Sequence, residues 1–150
     1  MKKILLVITI AFMATYVSAQ NNETKPVIPP FITEAFTKLY PTVKDVKWEV
    51  ENGNFEANFE INKVETSATF GPAGNLLEIE TEINISELPK KATEYLAKTY
   101  PNVKIKEASR IKDAKGVITY EAAWKVMEVI FDEKGNFLKD HREPVSKQKD

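Results

Sequence analysis

Leu96-Ala97-Lys98-Thr99-Tyr100-Pro101-Asn102-Val103-Lys104 restates a passage used earlier in the chain, Phe36-Thr37-Lys38-Leu39-Tyr40-Pro41-Thr42-Val43-Lys44. Tyr-Pro-x-Val-Lys recurs without a gap, at a spacing of 60. Upstream, Ile28-Pro29 falls over Leu88-Pro89 and Glu34 over Glu94. Downstream, Phe70-Gly71-Pro72-Ala73-Gly74-Asn75-Leu76-Leu77 falls over Phe131-Asp132-Glu133-Lys134-Gly135-Asn136-Phe137-Leu138, at a spacing of 61. A period this long marks a repeated supersecondary unit. The chain accordingly divides into an N-terminal segment 1–19, a leader 20–27, repeat one over 28–85, repeat two over 86–143 and a polar tail 144–150.

Each repeat opens with a helical pattern. Phe31, Ile32, Ala35, Phe36 and Leu39 form one apolar stripe, with Pro29-Pro30 suited to a first turn and Pro41 ending it. In repeat two, Ser86 is the expected cap, Pro89 stands in the third position, and Ala92, Tyr95, Leu96 and Thr99 follow until Pro101.

After each helix the period drops to two. Val46, Trp48 and Val50 alternate with Lys47, Glu49 and Glu51, and Asn52-Gly53 supplies a hairpin turn whose central residues need positive φ. Phe55 to Ile61 and Val64 to Phe70 alternate around Asn62-Lys63. Beyond Gly71–Asn75, the residues Leu77, Ile79, Thr81 and Ile83 alternate with Glu78, Glu80 and Glu82. Repeat one therefore reads as a helix followed by a four-stranded antiparallel meander packed on it.

In repeat two, Val103 and Ile105 open a strand that weakens towards Lys112. Asp113-Ala114-Lys115-Gly116 turns, and the last strand runs from Phe137 to about Glu143. Between Val117 and Phe131 two strands must fit. If Tyr120–Trp124 lies over Phe55–Phe59, this hairpin is four residues shorter than its counterpart; otherwise different aromatics correspond.

Met1-Lys2-Lys3, the apolar run Ile4–Tyr16 and the small residues Val17-Ser18-Ala19 have the layout of a secretory signal cleaved after Ala19. The run is shorter than the roughly 20 residues a membrane span requires. The chain has no cysteine and a single histidine. Packing alone must hold the fold, and thiol chemistry is excluded. Residues 20–85 carry 5 Lys/Arg against 11 Asp/Glu, while residues 86–150 carry 14 against 11. This asymmetry is either drift between two copies or a means of steering a charged partner.

No catalytic constellation is visible. His141 sits near the C-terminus, where a solvated edge is the expected setting. Asp132–Asn136 lacks the spacing and closing glutamate of a calcium loop and reads as a turn. Neither metal nor cofactor is expected, and nucleic acid is disfavoured by the acidic first half. The candidate contact residues are Glu56, Asn58, Glu60, Glu65, Glu78 and Glu80, which the alternation places on the sheet side away from the helix, together with Ser67 and Glu82. Trp124 is added as a possible aromatic anchor, with its side of the sheet left open; Trp48 shares parity with Val46 and Val50 and belongs in the core.

Tyr40-Pro41 with Phe70, Gly74, Asn75 and Leu77, and again Tyr100-Pro101 with Phe131, Gly135, Asn136 and Leu138, resemble the PepSY-like proteins with a β-lactamase-inhibitor-protein-like fold, small exported bacterial proteins. The resemblance implies an α+β chain of two repeats whose sheets form one extended, often concave surface with the helices behind. It carries over no catalytic set. The function expected is a non-enzymatic exported module, periplasmic or extracellular, that binds a protein or peptide on its open sheet face; the alternative is an inhibitor or regulator of an exported hydrolase. No membrane insertion is expected after signal cleavage.

Overall fold

The computed structural model describes residues 26–125 and 127–142. The expected signal 1–19, most of the leader and the tail from residue 143 lie outside the described residues. The elements follow in the order α1 (Pro30–Leu39), β1 (Lys47–Glu51), β2 (Asn54–Ile61), β3 (Val64–Phe70), β4 (Leu76–Glu82), α2 (Lys90–Thr99), β5 (Glu107–Asp113), β6 (Ile118–Trp124), β7 (Met127–Asp132) and β8 (Phe137–Arg142). All eight strands form a single antiparallel sheet in chain order. The two halves join edge to edge through β4 and β5, in the register Glu78↔Asp113 to Glu82↔Ser109. The fold is thus α+β, with two helices on an eight-stranded sheet. One seam replaces two open edges, so that among the described residues only β1 and β8 are unpaired on their outer sides.

Both helices cover the same face. Under α1, the buried Ile32 and Phe36 meet Ala57, Phe59, Ala68 and Phe70. Under α2, Leu88, Ala92 and Leu96 meet Ala108, Ala122, Trp124, Val129 and Phe131. Small alanines on the strands leave room for large helix side chains and for the aromatics beside them. The helix ends match closely. Pro29 and Pro89 precede the first turns at φ −58°, ψ 140° and φ −53°, ψ 140°. Tyr40 and Tyr100 close the last turns at φ −129°, ψ 64° and φ −128°, ψ 57°, donating to Phe36 O and Leu96 O respectively.

Four expectations need correction. Ser86 does not cap α2. A short 3₁₀ turn, Ile85–Glu87, occupies that stretch, and the Glu87 carboxylate accepts from the Asn84 backbone N–H and side-chain amide. Pro89, not in the third position, immediately precedes the helix. The fifth strand does not open at Val103. Val103 N donates to Tyr100 O in the turn after α2, and ladder bonding begins with Lys106 N to Ala123 O; Ile105 packs beneath α2 instead. Finally, Leu77 does not continue the buried row of β4. Phe70 pairs with Leu76 and Thr69 with Glu78, so a bulge inserts one residue and turns Leu76 to the core. The same shift sets Phe137 opposite Phe131, with Leu138 extra.

The undecided hairpin resolves to its shorter form. Phe55 faces Phe70 in one half and Tyr120 faces Phe131 in the other, with Trp124 paired to Met127 at the end of the ladder. The first half adds Glu60↔Glu65 and Ile61↔Val64 beyond the corresponding point. Three five-residue turns share one set of backbone bonds: Gly71 N to Asn75 O at 2.8 Å, Asp132 N to Asn136 O at 2.9 Å and Asp113 N to Val117 O at 3.0 Å. In the last two an aspartate completes the closure, since Asp132 Oδ1 accepts from Lys134 N and Asn136 N, and Asp113 Oδ1 from Lys115 N and Val117 N. The turn that raised a calcium loop as a possibility uses its carboxylate in this way.

Candidate functional site

The strand face opposite the helices is polar because the alternation that buries Ala57, Ala68, Ala108 and Ala122 sends their neighbours outwards. Cross-strand register assembles it. Asn58 faces Ser67, Ser67 faces Glu80, Glu82 faces Ser109, and Ser109 faces Glu121. Glu107 lies beside Ala123 on the same face. These residues line a recess of about 720 Å³ that spans β2 to β6 and crosses the β4–β5 seam. Seven glutamates contribute to its wall, Glu56, Glu60, Glu65, Glu80, Glu82, Glu107 and Glu121, and among the described residues no lysine or arginine does.

The electrostatics follow from burial. Burial pushes the Glu80 carboxyl above the ordinary carboxylate range; the approach of the Ser109 hydroxyl pulls partly the other way, and the charges of Glu78 and Glu107 add to the rise. Glu56 is raised for the same first reason, with Ser67 opposing and Glu49, Glu80 and Glu51 adding. Like charges on adjacent strands oppose folding, and the core on the other side of the sheet offsets that cost. The Ser109 side chain is only 7% exposed. Although the hydroxyl lies close enough to lower the Glu80 carboxyl, Oγ has no hydrogen-bond partner of ordinary geometry among the described residues.

Of the residues singled out in the sequence, Glu56, Asn58, Glu60, Glu65 and Glu80 come together in the recess, with Ser67 and Glu82. Glu78 shares their face, opposite Thr69 and Asp113, but stands outside the recess and is exposed. Trp124 is not on this surface: it is 7% exposed, packed under α2 with the Tyr100 ring 4.9 Å away. Its place as a surface anchor is therefore withdrawn, because Trp124 shares the face of the core residues Ala122 and Val129. Glu107, Ser109 and Glu121 were not foreseen. Summing charge by half of the chain hid them in a net-basic stretch, although their alternation with Ala108 and Ala122 was readable.

The other strand aromatics also face the helices. Trp48 and Phe59 stand 5.6 and 5.0 Å from the Phe36 ring, and Phe137 stacks on Tyr95 at 4.8 Å. His141 is exposed on the outermost strand, opposite Glu128. Among the described residues no group of His, Cys, Asp and Glu suits a metal ion, and no helix is long and apolar enough to cross a membrane.

A family model described as "Putative beta-lactamase-inhibitor-like, PepSY-like" matches residues 53–139. Among solved structures, a protein from Bacteroides eggerthii described as a "putative periplasmic" protein superposes with a TM-score of 0.66 at 18% identity, covering 78% of this chain and 90% of that one. A DUF2874 family protein from Bacteroides uniformis gives 0.65 at 18% identity, covering 77% and 90%. A BLIP-like protein from Bacteroides fragilis gives 0.57 at 25% identity, covering 77% and 88%. No curated protein matches the chain in sequence.

Proposed function

This chain belongs to the PepSY-like, β-lactamase-inhibitor-like family, and from that premise we propose that it is a non-enzymatic exported module that docks a protein or peptide of the cell envelope on its open sheet face. The carboxylate-lined recess opposite both helices carries this proposal. The strand aromatics are committed to the helix-side core, so charge is the means of recognition this face offers. A negative surface steers a basic partner towards it and rejects acidic ones. Export rests on residues 1–19 acting as a cleaved signal, in keeping with the periplasmic description of the Bacteroides eggerthii protein. The matched helix caps and the common turn geometry support descent of units 28–85 and 86–143 from one duplicated ancestor.

Affinity capture from envelope extract tests the docking. The expected result is a partner retained at low salt, released at high salt and missed by a Glu56→Gln/Glu65→Gln/Glu82→Gln variant. Capture that ignores both changes overturns it. The family description favours a second function, inhibition of an exported hydrolase. A hydrolase that keeps full activity in the bound fraction excludes that alternative.

A further inference from the structure

Resting on the docking proposed above, we infer that the centre of the recess is a seat for a lysine side chain, whose ammonium is received between Glu80 on β4 and Ser109 on β5. Acidity alone would not select a ligand. The second observation is the Ser109 hydroxyl, nine-tenths buried, lining the recess and without a hydrogen-bond partner among the described residues. A buried hydroxyl left unmatched costs free energy that an incoming donor restores. Whatever its single proton does near Glu80, both oxygen lone pairs remain open. The occupant must therefore donate.

Charge selects a cation, because seven glutamates and, among the described residues, no basic residue form the wall. A bare metal ion is disfavoured by the lack of any suitable ligand group among the described residues. Between the two basic side chains, the acceptors decide. Glu80 pairs across to Ser67 and Ile111, and Ser109 to Glu82 and Glu121. Glu80 and Ser109 are thus diagonal neighbours on adjacent strands, one a carboxylate and one a hydroxyl. A guanidinium presents a flat fork matched to two oxygens of one carboxylate, whereas an ammonium directs three donors around a single nitrogen. The four-carbon stem of lysine also reaches into a recess while leaving the partner's backbone at the rim.

Calorimetric titration of the protein purified after export tests this. The probe is a terminally blocked Lys-Thr-Lys-Thr-Lys-Thr peptide, compared with its arginine and ε-acetyl-lysine versions. The lysine peptide should bind best, and the acetylated one should not bind. Glu80→Gln should weaken the lysine peptide at least about tenfold and Ser109→Ala about threefold, while Glu94→Gln on the exposed face of α2 changes nothing. Thermal melts establish that each variant is folded. If the lysine peptide binds Glu80→Gln and Ser109→Ala as it binds the parent, the lysine seat is wrong. If the arginine peptide binds equally well, the selection is wrong. The docking proposal stands or falls separately, on whether Glu56→Gln/Glu65→Gln/Glu82→Gln loses its envelope partner.

Discussion

Tyr100 donates its hydroxyl proton to Asp140 Oδ2 across 3.1 Å, so the residue that closes α2 also grips the outermost strand. Its ring stands T-shaped on Trp124. Tyr40, the matching residue of the first half, sits with its ring 5.2 Å from Phe36 and 4.6 Å from Phe59.

Replacing Tyr100 by phenylalanine keeps the ring contact and removes one exposed bond, which should cost less than about 1 kcal/mol in urea denaturation. Tyr100→Ala should cost roughly 2–4 kcal/mol, because the packing goes too. The hydroxyl pKa is raised above 10.0, first by burial and then by the bond to Asp140. The folded state therefore holds this proton more tightly. That contribution is complete below pH 10 and is lost as pH rises through the folded-state value, so the Phe variant should lose less stability in alkali than the parent.

Gly135 is where the β7–β8 turn touches α2. Its φ is +80°, and an added Cβ would meet Pro89 Cβ at 2.8 Å and Ala92 N at 2.9 Å. Gly135→Ala should destabilise by at least about 2 kcal/mol, combining backbone strain with a clash that neither neighbour can relieve. Gly53→Ala carries the strain without the clash, since open space surrounds its Cβ position, and should cost about 1 kcal/mol. Chemical denaturation of the two variants side by side separates the contributions.

Glu80→Gln should raise stability near neutral pH, by up to about 1 kcal/mol. A carboxyl whose folded pKa is raised favours folding only while protonated. Its stabilisation is present below the unfolded value of 4.5 and is lost as pH rises through the folded value. The glutamine variant escapes that loss, so its advantage should vanish below pH 4.5. Melting curves across the acid range check the sign.

Phe70 is fully buried beneath α1, with the Phe36 ring 6.4 Å away. Phe70→Ala should cost about 3–5 kcal/mol. Val50 on the edge strand is half exposed, and Val50→Ala should stay within about 0.5 kcal/mol. Equal losses at the two positions would contradict the placement of the core.

The elements were legible wherever one face of a strand or helix was apolar. Phe55, Ala57, Phe59, Ala68 and Phe70 announced their side by alternation, and Pro41 and Pro101 announced the helix ends. What failed was local. Leu76 and Leu77 are equally apolar, and only the bulge decides which is turned inwards. Asn84, not Ser86, partners Glu87, because a 3₁₀ turn competes with the helix for that stretch. Trp124 has no side that sequence alone assigns, because the register of its hairpin is set only by the Trp124↔Met127 ladder end. The acidic surface is half legible in sequence: alternation places Glu56, Glu65 and Glu80 on the open face, but its continuation through Glu107 and Glu121 depends on the β4–β5 seam, and no pattern within either half specifies that pairing.

In this sheet the order in space is the order of synthesis. A strand leaving the ribosome finds its partner already made, and only at β4–β5 does a longer connection, carrying α2, separate the two. Short loops between successive partners keep closure entropy small and favour rapid assembly. The chain can therefore zip up from its N-terminal side as it emerges, without holding an unpaired strand in reserve for a distant mate.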